Sequence, residues 1–227
     1  MYDFIIIGSG SSGGVLAKNL HDAGAKVLLT EAGKFLRKDT FPKTEAEYSS
    51  QLFWGGGIEF DSKSTTAFLR AKCVGGTSIV NQCLMDRFDD VALDDWKARS
   101  GVYFFSTQAM EPWYEKVEQN MVLHTFERNE FNRNAEIFTD SCQKLGYKWK
   151  PLRRGQSDCK IEEGNDCIGC LGGCHRDSKQ SVLVTSIQKA EQTGLEILSE
   201  FMVDSIQHQD DHVIMGGEKK HTPSLRD

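Results

Sequence analysis

A glycine-rich turn near the start of the chain limits what the chain can fold into more than any other feature. The turn, Gly8-Ser-Gly10-Ser-Ser-Gly13, follows an apolar run at residues 4–7. Such a run predicts a buried parallel strand, because both faces of a strand of this kind are covered. Apolar residues then recur near helical spacing as far as Gly24, which suits a helix C-cap. Residues 26–30 predict a second strand ending at Glu31, which completes one β-α-β unit.

The chemistry of this turn indicates a bound adenine dinucleotide. Gly8 allows the tight turn, Gly10 lets a pyrophosphate approach the backbone, and Gly13 lets the helix pack closely on the strand. The free N–H groups and the dipole at the helix start favour phosphate charge. Glu31 lies 18 residues after Gly13, near the ~20-residue offset at which an acid binds the ribose hydroxyls. It would repel the 2′-phosphate of NADP, but the unit alone does not separate NAD from FAD.

Composition narrows the class of protein. With 227 residues the chain can form one large domain or two small ones. The net charge of −6 and the pI near 5.6 argue against nucleic acid or an anionic membrane as a partner. No apolar run approaches the ~18 residues of a transmembrane helix, and no secretory signal precedes the first strand, so we expect a cytoplasmic location. Seven cysteines are an odd number, which disfavours a complete disulfide framework.

Residues 53–57, Phe-Trp-Gly-Gly-Gly, have two interpretations. Three glycines beside two large aromatic residues suit a mobile segment that lays its rings over a bound cofactor. They equally suit an ordinary turn whose aromatic side chains belong to the core, since glycine runs mark loops of either kind.

A second glycine motif follows at residues 71–81, Ala-Lys-Cys-Val-Gly75-Gly76-Thr77-Ser78-Ile-Val-Asn81. A pair of glycines followed by two hydroxyl side chains exposes backbone N–H groups to an anion or a planar ring. The amide of Asn81 can donate to a carbonyl oxygen. Taken alone, the string also fits a loop that leads into a helix.

The second half of the chain predicts further helices and short strands. Pro112 suits the first position of a helix, and residues 135–145 predict another helix that ends at Gly146. A further helix is predicted at residues 182–192 with Gly194 behind it. The predicted strands are residues 195–198, 202–206 and 213–215.

Together the two glycine motifs resemble those of the glucose–methanol–choline (GMC) family of FAD-dependent oxidoreductases. The first motif is residues 2–13 with Leu29-Thr-Glu31-Ala32-Gly33, and the second is residues 71–81, which is similar to the start of the family's N-terminal signature. The chain departs from the family pattern at Met85, where the family usually has an aromatic residue or alanine. The resemblance extends from residue 1 to about residue 215.

The resemblance implies an α/β fold, with a Rossmann-like FAD/NAD(P)-binding domain and the beginning of an inserted α+β substrate domain. Residues 1–90 would form the first part of the FAD-binding domain, and residues 91–180 the inserted helical and cysteine-rich region. Residues 181–215 would return to the FAD-binding domain. Residues 216–227 are polar and without periodicity, which predicts an irregular tail.

FAD is the cofactor that the resemblance implies. The first glycine turn would hold the pyrophosphate and Glu31 the ribose, while the second motif would line the flavin and ribityl side. The main chain of Val203 would meet the adenine. The predicted cofactor-binding residues are Gly8, Gly10, Ser11, Ser12, Gly13, Glu31, Ala32, Gly33, Gly75, Gly76, Ser78, Asn81 and Val203.

The implied reaction is oxidation of the CH–OH group of a small-molecule alcohol, with hydride passing to flavin N5. A C-terminal histidine is the family's catalytic base, and none of the six histidines here has that sequence context. We therefore expect no catalytic residue in this chain, a truncated chain and no turnover by the chain alone. Three alternatives share the first motif: an NAD-dependent dehydrogenase domain, an inactive FAD-binding remnant, and a binding module completed by another chain. The alcohol and the electron acceptor are not specified.

Four cysteines, Cys159, Cys167, Cys170 and Cys174, lie in a segment rich in glycine and aspartate. Thiolates at these spacings can hold zinc or an iron–sulfur cluster, and some family members have a cysteine-rich loop here. The spacing matches neither a usual zinc ribbon nor a ferredoxin, so the prediction is no metal site. A local disulfide and free thiols both remain open.

Overall fold

The structure of the protein is a computed structural model that describes residues 1–157, 159 and 169–219. Contacts divide the chain into two compact units. The first comprises Met1–Gln82, Ile168–Asp177 and Ser181–Asp227, and the second comprises Cys83–Cys167 and Ser178–Gln180. The chain thus leaves the first unit twice, after Gln82 and again after Asp177, and returns to it each time.

The first unit contains both helices and strands, and the second is mainly helical. The helices are α1 (Ser11–Asp22), α2 (Glu45–Leu52), α3 (Asp90–Ser100), α4 (Thr107–Glu118), α5 (Arg133–Lys144), α6 (Gly169–Gly172) and α7 (Gln188–Gln192). The strands are β1 (Phe4–Ile7), β2 (Val27–Thr30), β3 (Glu59–Phe60), β4 (Ala67–Phe68), β5 (Leu123–Thr125), β6 (Arg153–Gly155), β7 (Glu196–Leu198), β8 (Phe201–His208) and β9 (Val213–Lys219).

The predicted β-α-β unit is confirmed and forms the centre of the first unit. Strands β1, β2 and β7 are parallel and lie in the order β1-β2-β7. Helix α1 connects the first two, and Gly24 follows it with a φ of 90°, as a C-cap glycine requires. The buried core includes Ala17 of α1, Leu29 of β2 and Ile187. This is the mixed helix and strand architecture of a Rossmann-like α/β fold.

Strand β1 has the predicted position and direction, but the prediction that both its faces are covered is wrong. Phe4, Ile5 and Ile7 are 46%, 36% and 51% exposed, whereas Ile6 packs against the core. The reason is that β1 is the edge strand of the sheet, and only the face with Ile6 and Leu29 meets the buried cluster. Among the described residues, no strand pairs with the second edge of β1.

The last part of the first unit contains the predicted helix and strands with adjusted bounds. A π-helical turn at Leu183–Ile187 leads directly into α7, and Gly194 follows with a φ of 107°. Strands β8 and β9 form an antiparallel hairpin. The expected irregular tail from Gly216 is wrong for its first residues, because β9 continues to Lys219 by pairing with β8. Residues 220–227 lie outside the described residues.

The three longer helices of the second unit begin at polar N-caps. The side chain of Asp89 caps α3, that of Ser106 caps α4, and that of Asn132 caps α5. Pro112 therefore lies inside α4, and its predicted place at the first helical position is wrong. The cap at Ser106 starts the helix earlier, and the missing N–H of Pro112 costs one internal hydrogen bond.

An ion-pair network crosses the second unit. Glu118 of α4 accepts from Arg87 at 2.9 and 2.8 Å and from Arg153 of β6 at 2.6 Å. Arg87 also donates to Glu111 at 2.5 Å. Pairing with Arg87 first, and then with Arg153, lowers the pKa of Glu118 to about 2 although partial burial opposes the shift.

In the part of the chain that the structure describes, no helix has the length and apolar character needed to cross a bilayer.

Candidate functional site

The first glycine turn has the geometry that its sequence predicts. Gly8 has a φ of 89°, a conformation that favours glycine. A Cβ on Gly13 would lie 2.0 Å from the carbonyl oxygen of Gly8, so only glycine lets α1 approach β1 this closely. Gly10 is the N-cap of α1 and offers no side chain to its first N–H groups. These donors therefore stay available to an anion.

The second glycine motif lies directly against the first. Gly75 and Gly76 have φ values of 98° and 54°. A Cβ on Gly76 would lie 2.7 Å from the Cα of Gly10, which means that the two backbones are in close contact. Residues 66 positions apart in the chain thus meet in one place: the backbone N–H of Gly75 donates to the hydroxyl of Ser9 at 3.1 Å.

Ser9 and Glu31 form a buried polar cluster beneath this contact. One carboxylate oxygen of Glu31 accepts from the backbone N–H of Ser9 at 3.1 Å and from its hydroxyl at 2.7 Å. The other accepts from the backbone N–H of Gly33 at 2.9 Å. The main chain of Glu31 is anchored to β7 and β8, since its N–H donates to Leu198 and its carbonyl accepts from Phe201. Glu31 is therefore held in one position at the end of β2.

A cavity of about 370 Å³ opens where these loops meet. Its floor is the carboxyl end of β1 and β2, the place where open α/β sheets bind ligands. Backbone from both glycine motifs and the start of β8 contribute to the wall. The lining residues are Ile7, Gly8, Gly10, Thr30, Glu31, Ala32, Trp54, Arg70, Ala71, Gly76, Thr77, Phe201, Met202 and Val203.

The structure places some of the predicted cofactor-binding residues on the cavity wall and others behind it. The wall includes Gly8, Gly10, Glu31, Ala32, Gly76 and Val203. Outside the lining are Ser11, Ser12, Gly13, Gly33, Gly75, Ser78 and Asn81.

Several residues outside the lining have structural contacts that explain their type. The Ser78 hydroxyl donates to the carbonyl of Gly75 at 2.6 Å and accepts from the N–H of Val182 at 3.1 Å. A Cβ on Gly33 would lie 2.0 Å from the carbonyl oxygen of Lys72. These residues shape the loops that form the wall.

Residues 53–57 place their two aromatic residues differently. Phe53 packs against the core, and its backbone bridges to Ala71. Trp54 lies on the cavity wall. Gly55 and Gly56 follow with φ values of 60° and 74°.

Sequence reasoning missed Ser9, Arg70 and the pair Phe201 and Met202. Ser9 lies between two glycines of the first motif, and Arg70 directly precedes the second motif. Their positions beside the motifs could therefore have indicated that they lie near the site. Phe201 and Met202 carry no such signal, because only the pairing of the chain after β7 brings them to the cavity.

The cysteine-rich segment is only partly within the described residues. Cys167 lies outside them, and Cys159, Cys170 and Cys174 are each partly exposed. Among the residues that the structure describes, no three metal-binding side chains come together. Next to this segment, both ring nitrogens of His175 face carbonyl oxygens, those of Lys38 at 2.9 Å and Pro42 at 3.3 Å.

The parallel sheet, the glycine turn into α1 and the acid at the end of β2 define an α/β protein of the Rossmann type. The family model for GMC oxidoreductases matches residues 2–220. The chain belongs to the GMC oxidoreductase family, as its two glycine motifs predict. Members such as alcohol oxidases and choline oxidase are FAD-dependent oxidoreductases.

Similar sequences come from bacteria and plants. An uncharacterized GMC-type oxidoreductase of Sinorhizobium fredii is 29% identical over 205 residues, which is 90% of this chain and 39% of that protein. A long-chain-alcohol oxidase of Arabidopsis thaliana is 27% identical over 203 residues, which is 87% of this chain and 26% of the oxidase. This chain thus spans well under half the length of these relatives.

Solved structures with a similar fold include a pyridoxine 4-oxidase from Mesorbium loti. The TM-score is 0.68 at 17% identity, and the match covers 94% of this chain and 45% of that one. A formate oxidase matches with a TM-score of 0.62 at 14% identity over 92% of this chain and 40% of the oxidase. At these identities the likeness concerns the fold alone.

Proposed function

We propose that this chain is the FAD-binding portion of a GMC-type oxidoreductase that acts on the CH–OH group of an alcohol. The observation that carries the proposal is the meeting of the two glycine motifs. Gly8 and Gly10 of the first motif and Gly76 and Thr77 of the second line one cavity, with Glu31 on the same wall.

The residues present fit a dinucleotide. A Cβ on Gly10 would meet no protein atom within 4 Å, so the space beside its backbone is open to a ligand. The carboxylate of Glu31 already accepts three hydrogen bonds, from Ser9 twice and from Gly33. A carboxylate has about four acceptor positions, which leaves about one for a ribose hydroxyl.

The role of this chain in the reaction is to bind and orient the cofactor. With FAD bound, the N–H groups at the start of α1 would hold the pyrophosphate, Glu31 would accept from the ribose, and the main chain of Val203 would border the adenine. The loop at Gly75 and Gly76 borders the ribityl and flavin side. When bound, FAD supplies the atom, flavin N5, that accepts hydride from the alcohol carbon.

The relatives, and not the cavity, support the alcohol substrate. Long-chain-alcohol oxidases are among the relatives, which supports an alcohol donor, but the matched region is 26% of such a protein. We propose that the second unit begins the substrate domain. We expect no catalytic base among the residues of this chain. The proposed location is the cytoplasm.

An NAD-dependent dehydrogenase domain is the competing function. It shares the β-α-β unit but does not require a second glycine loop. The contact of Gly76 with Gly10 and the place of Gly76 and Thr77 on the cavity wall therefore support FAD.

Gly10→Ala provides the test of cofactor binding. Gly10 has a φ of −64°, which alanine adopts readily, and open space surrounds the added methyl group, so we expect the variant to fold. The methyl group would keep a pyrophosphate from the backbone. FAD titration followed by flavin fluorescence should show binding to the unchanged chain and at least about tenfold weaker binding to the variant, which corresponds to ~1.4 kcal/mol.

Asp22→Ala is the control, because Asp22 is exposed at the far end of α1 and does not line the cavity. Its affinity for FAD should equal that of the unchanged chain at equal folded fraction by circular dichroism. A folded chain that binds NAD but not FAD would support the dehydrogenase function instead. Glu31→Ala is a weaker test, since it also removes acceptors from Ser9 and Gly33.

A further inference from the structure

One positively charged side chain lies on the wall of the cavity. Among the described lining residues the charged groups are Glu31 and Arg70, and only Arg70 is cationic. FAD carries two negative charges on its pyrophosphate, whereas riboflavin carries none. The resemblance to the GMC family assigned no role to Arg70, and neither glycine motif includes it.

The backbone around Arg70 is fixed by its neighbours. The carbonyl of Arg70 accepts from the N–H of Trp54 at 3.1 Å, and the next residue, Ala71, pairs with Phe53. These contacts tie Arg70 to the segment that places Trp54 on the cavity wall. The two side chains therefore reach the cavity from two adjacent, hydrogen-bonded segments.

The guanidinium group is oriented by one edge only. Its Nε donates to Glu59 at 2.9 Å and its Nη2 donates to the other oxygen of the same carboxylate at 3.0 Å. The group lies 5.8 Å from the centre of the Trp54 ring. Within the described part of the chain, Nη1 has no hydrogen-bond acceptor, and the side chain is 59% exposed. Glu59 thus orients the guanidinium group, while the edge that carries Nη1 stays available to a ligand.

A guanidinium edge of this kind suits a phosphate oxygen. Its planar N–H groups match the spacing of phosphate oxygens, and a charge-assisted hydrogen bond is about twice as strong as a neutral one. The N–H groups at the start of α1 also favour negative charge in the same cavity, so a ligand anion would be held from two sides.

We propose that Arg70 donates through its Nη1 edge to a phosphate oxygen of the bound dinucleotide, and so selects phosphate-bearing ligands over nucleosides and riboflavin. The inference rests on the proposed function, because it requires FAD in this cavity.

The test compares Arg70→Gln with Lys72→Gln as a matched control. Lys72 has the same charge and lies 4.6 Å from the centre of the same Trp54 ring, but it is not on the cavity wall. The ligands are FAD, ADP and adenosine, titrated into the full 227-residue chain by calorimetry at low ionic strength. Arg70→Gln should weaken the binding of FAD and ADP by about tenfold and leave the affinity for adenosine unchanged. Lys72→Gln should leave all three affinities within about twofold of the unchanged chain.

If Arg70→Gln weakened the binding of adenosine and ADP equally, the inference would be overturned. Arg70 would then act on the nucleoside or on the stability of the chain. Equal effects of both variants would also overturn it. Arg70→Lys keeps the charge and should recover part of the ADP affinity, which tests the inference even where the glutamine variant unfolds. A folded, unchanged chain that binds ADP but not FAD would refute the proposed function while the Arg70 comparison with ADP still stands.

Discussion

The carboxylate of Glu31 connects the two glycine motifs through Ser9. Glu31 accepts from the Ser9 hydroxyl, and that hydroxyl accepts in turn from the N–H of Gly75. All three groups are buried, so each hydrogen bond replaces one that water would otherwise make. The acid that the sequence predicts to bind a ribose thus also holds together the two loops that form the cavity wall. The predicted ligand role and the observed structural role belong to one side chain.

We expect Ser9→Ala to destabilise the chain. The change leaves the N–H of Gly75 without its acceptor and removes one donor from Glu31, which costs about 1–3 kcal/mol for buried groups. The measurement is the midpoint of urea unfolding by circular dichroism. Ser12→Ala is the control, because Ser12 is exposed near the start of α1. Equal midpoints for the two variants would show that the Ser9 hydroxyl does not stabilise the contact between the loops.

The elements that pack on its two faces decide the environment of strand β1. Four apolar residues in a row predicted a covered strand, yet three of them are substantially exposed. Sequence pattern reports the preference of each residue for burial, whereas burial itself depends on which elements pack on both sides. An exposed apolar edge strand is a surface on which another strand can pair. The glycines predicted to end helices, Gly24, Gly146 and Gly194, depend in contrast on local contacts, and all three have a positive φ.

In the second unit, the pairing of Glu118 predicts how stability depends on pH. The pKa of this carboxyl is lowered from an ordinary value near 4.5 to about 2, mainly by Arg87 and also by Arg153. A lowered folded-state pKa means that the ion pairs stabilise the fold above the unfolded-state value, and this stabilisation is lost as the pH falls from about 4.5 towards 2. Glu118→Gln should therefore reduce stability at pH 7 and flatten its decline over this acid range.

Tryptophan fluorescence during urea unfolding measures this effect, since Trp96, Trp113 and Trp149 all belong to the second unit. Glu111→Gln is the control: Glu111 contacts Arg87 through a single oxygen and is more exposed than Glu118. The stability of the control variant should fall as steeply with decreasing pH as that of the unchanged chain. If the stability of Glu118→Gln fell equally steeply, the ion pairs of Glu118 would not be the cause of the acid dependence.

Taken whole, the chain contains a cavity lined by both glycine motifs in its first unit, and its sequence predicts no catalytic base. It corresponds to 39% of one relative and 26% of another. We expect the chain with FAD bound to show no bleaching of the flavin absorbance when a long-chain primary alcohol is added without oxygen. Dithionite should bleach the same sample, which shows that the flavin can be reduced. Bleaching by the alcohol would mean that this chain supplies its own catalytic base.

The sequence by itself determined the β-α-β unit, the identity of its glycines and the family. These depend on short-range chemistry: Gly8 needs a positive φ, and Gly13 needs close contact with a carbonyl five residues before it in the chain. Only the tertiary structure decided that β1 is an edge strand, that Ser9 joins the two motifs, and that Arg70 reaches the cavity. Each of these depends on contacts between segments far apart in the chain, which no local pattern of residues encodes.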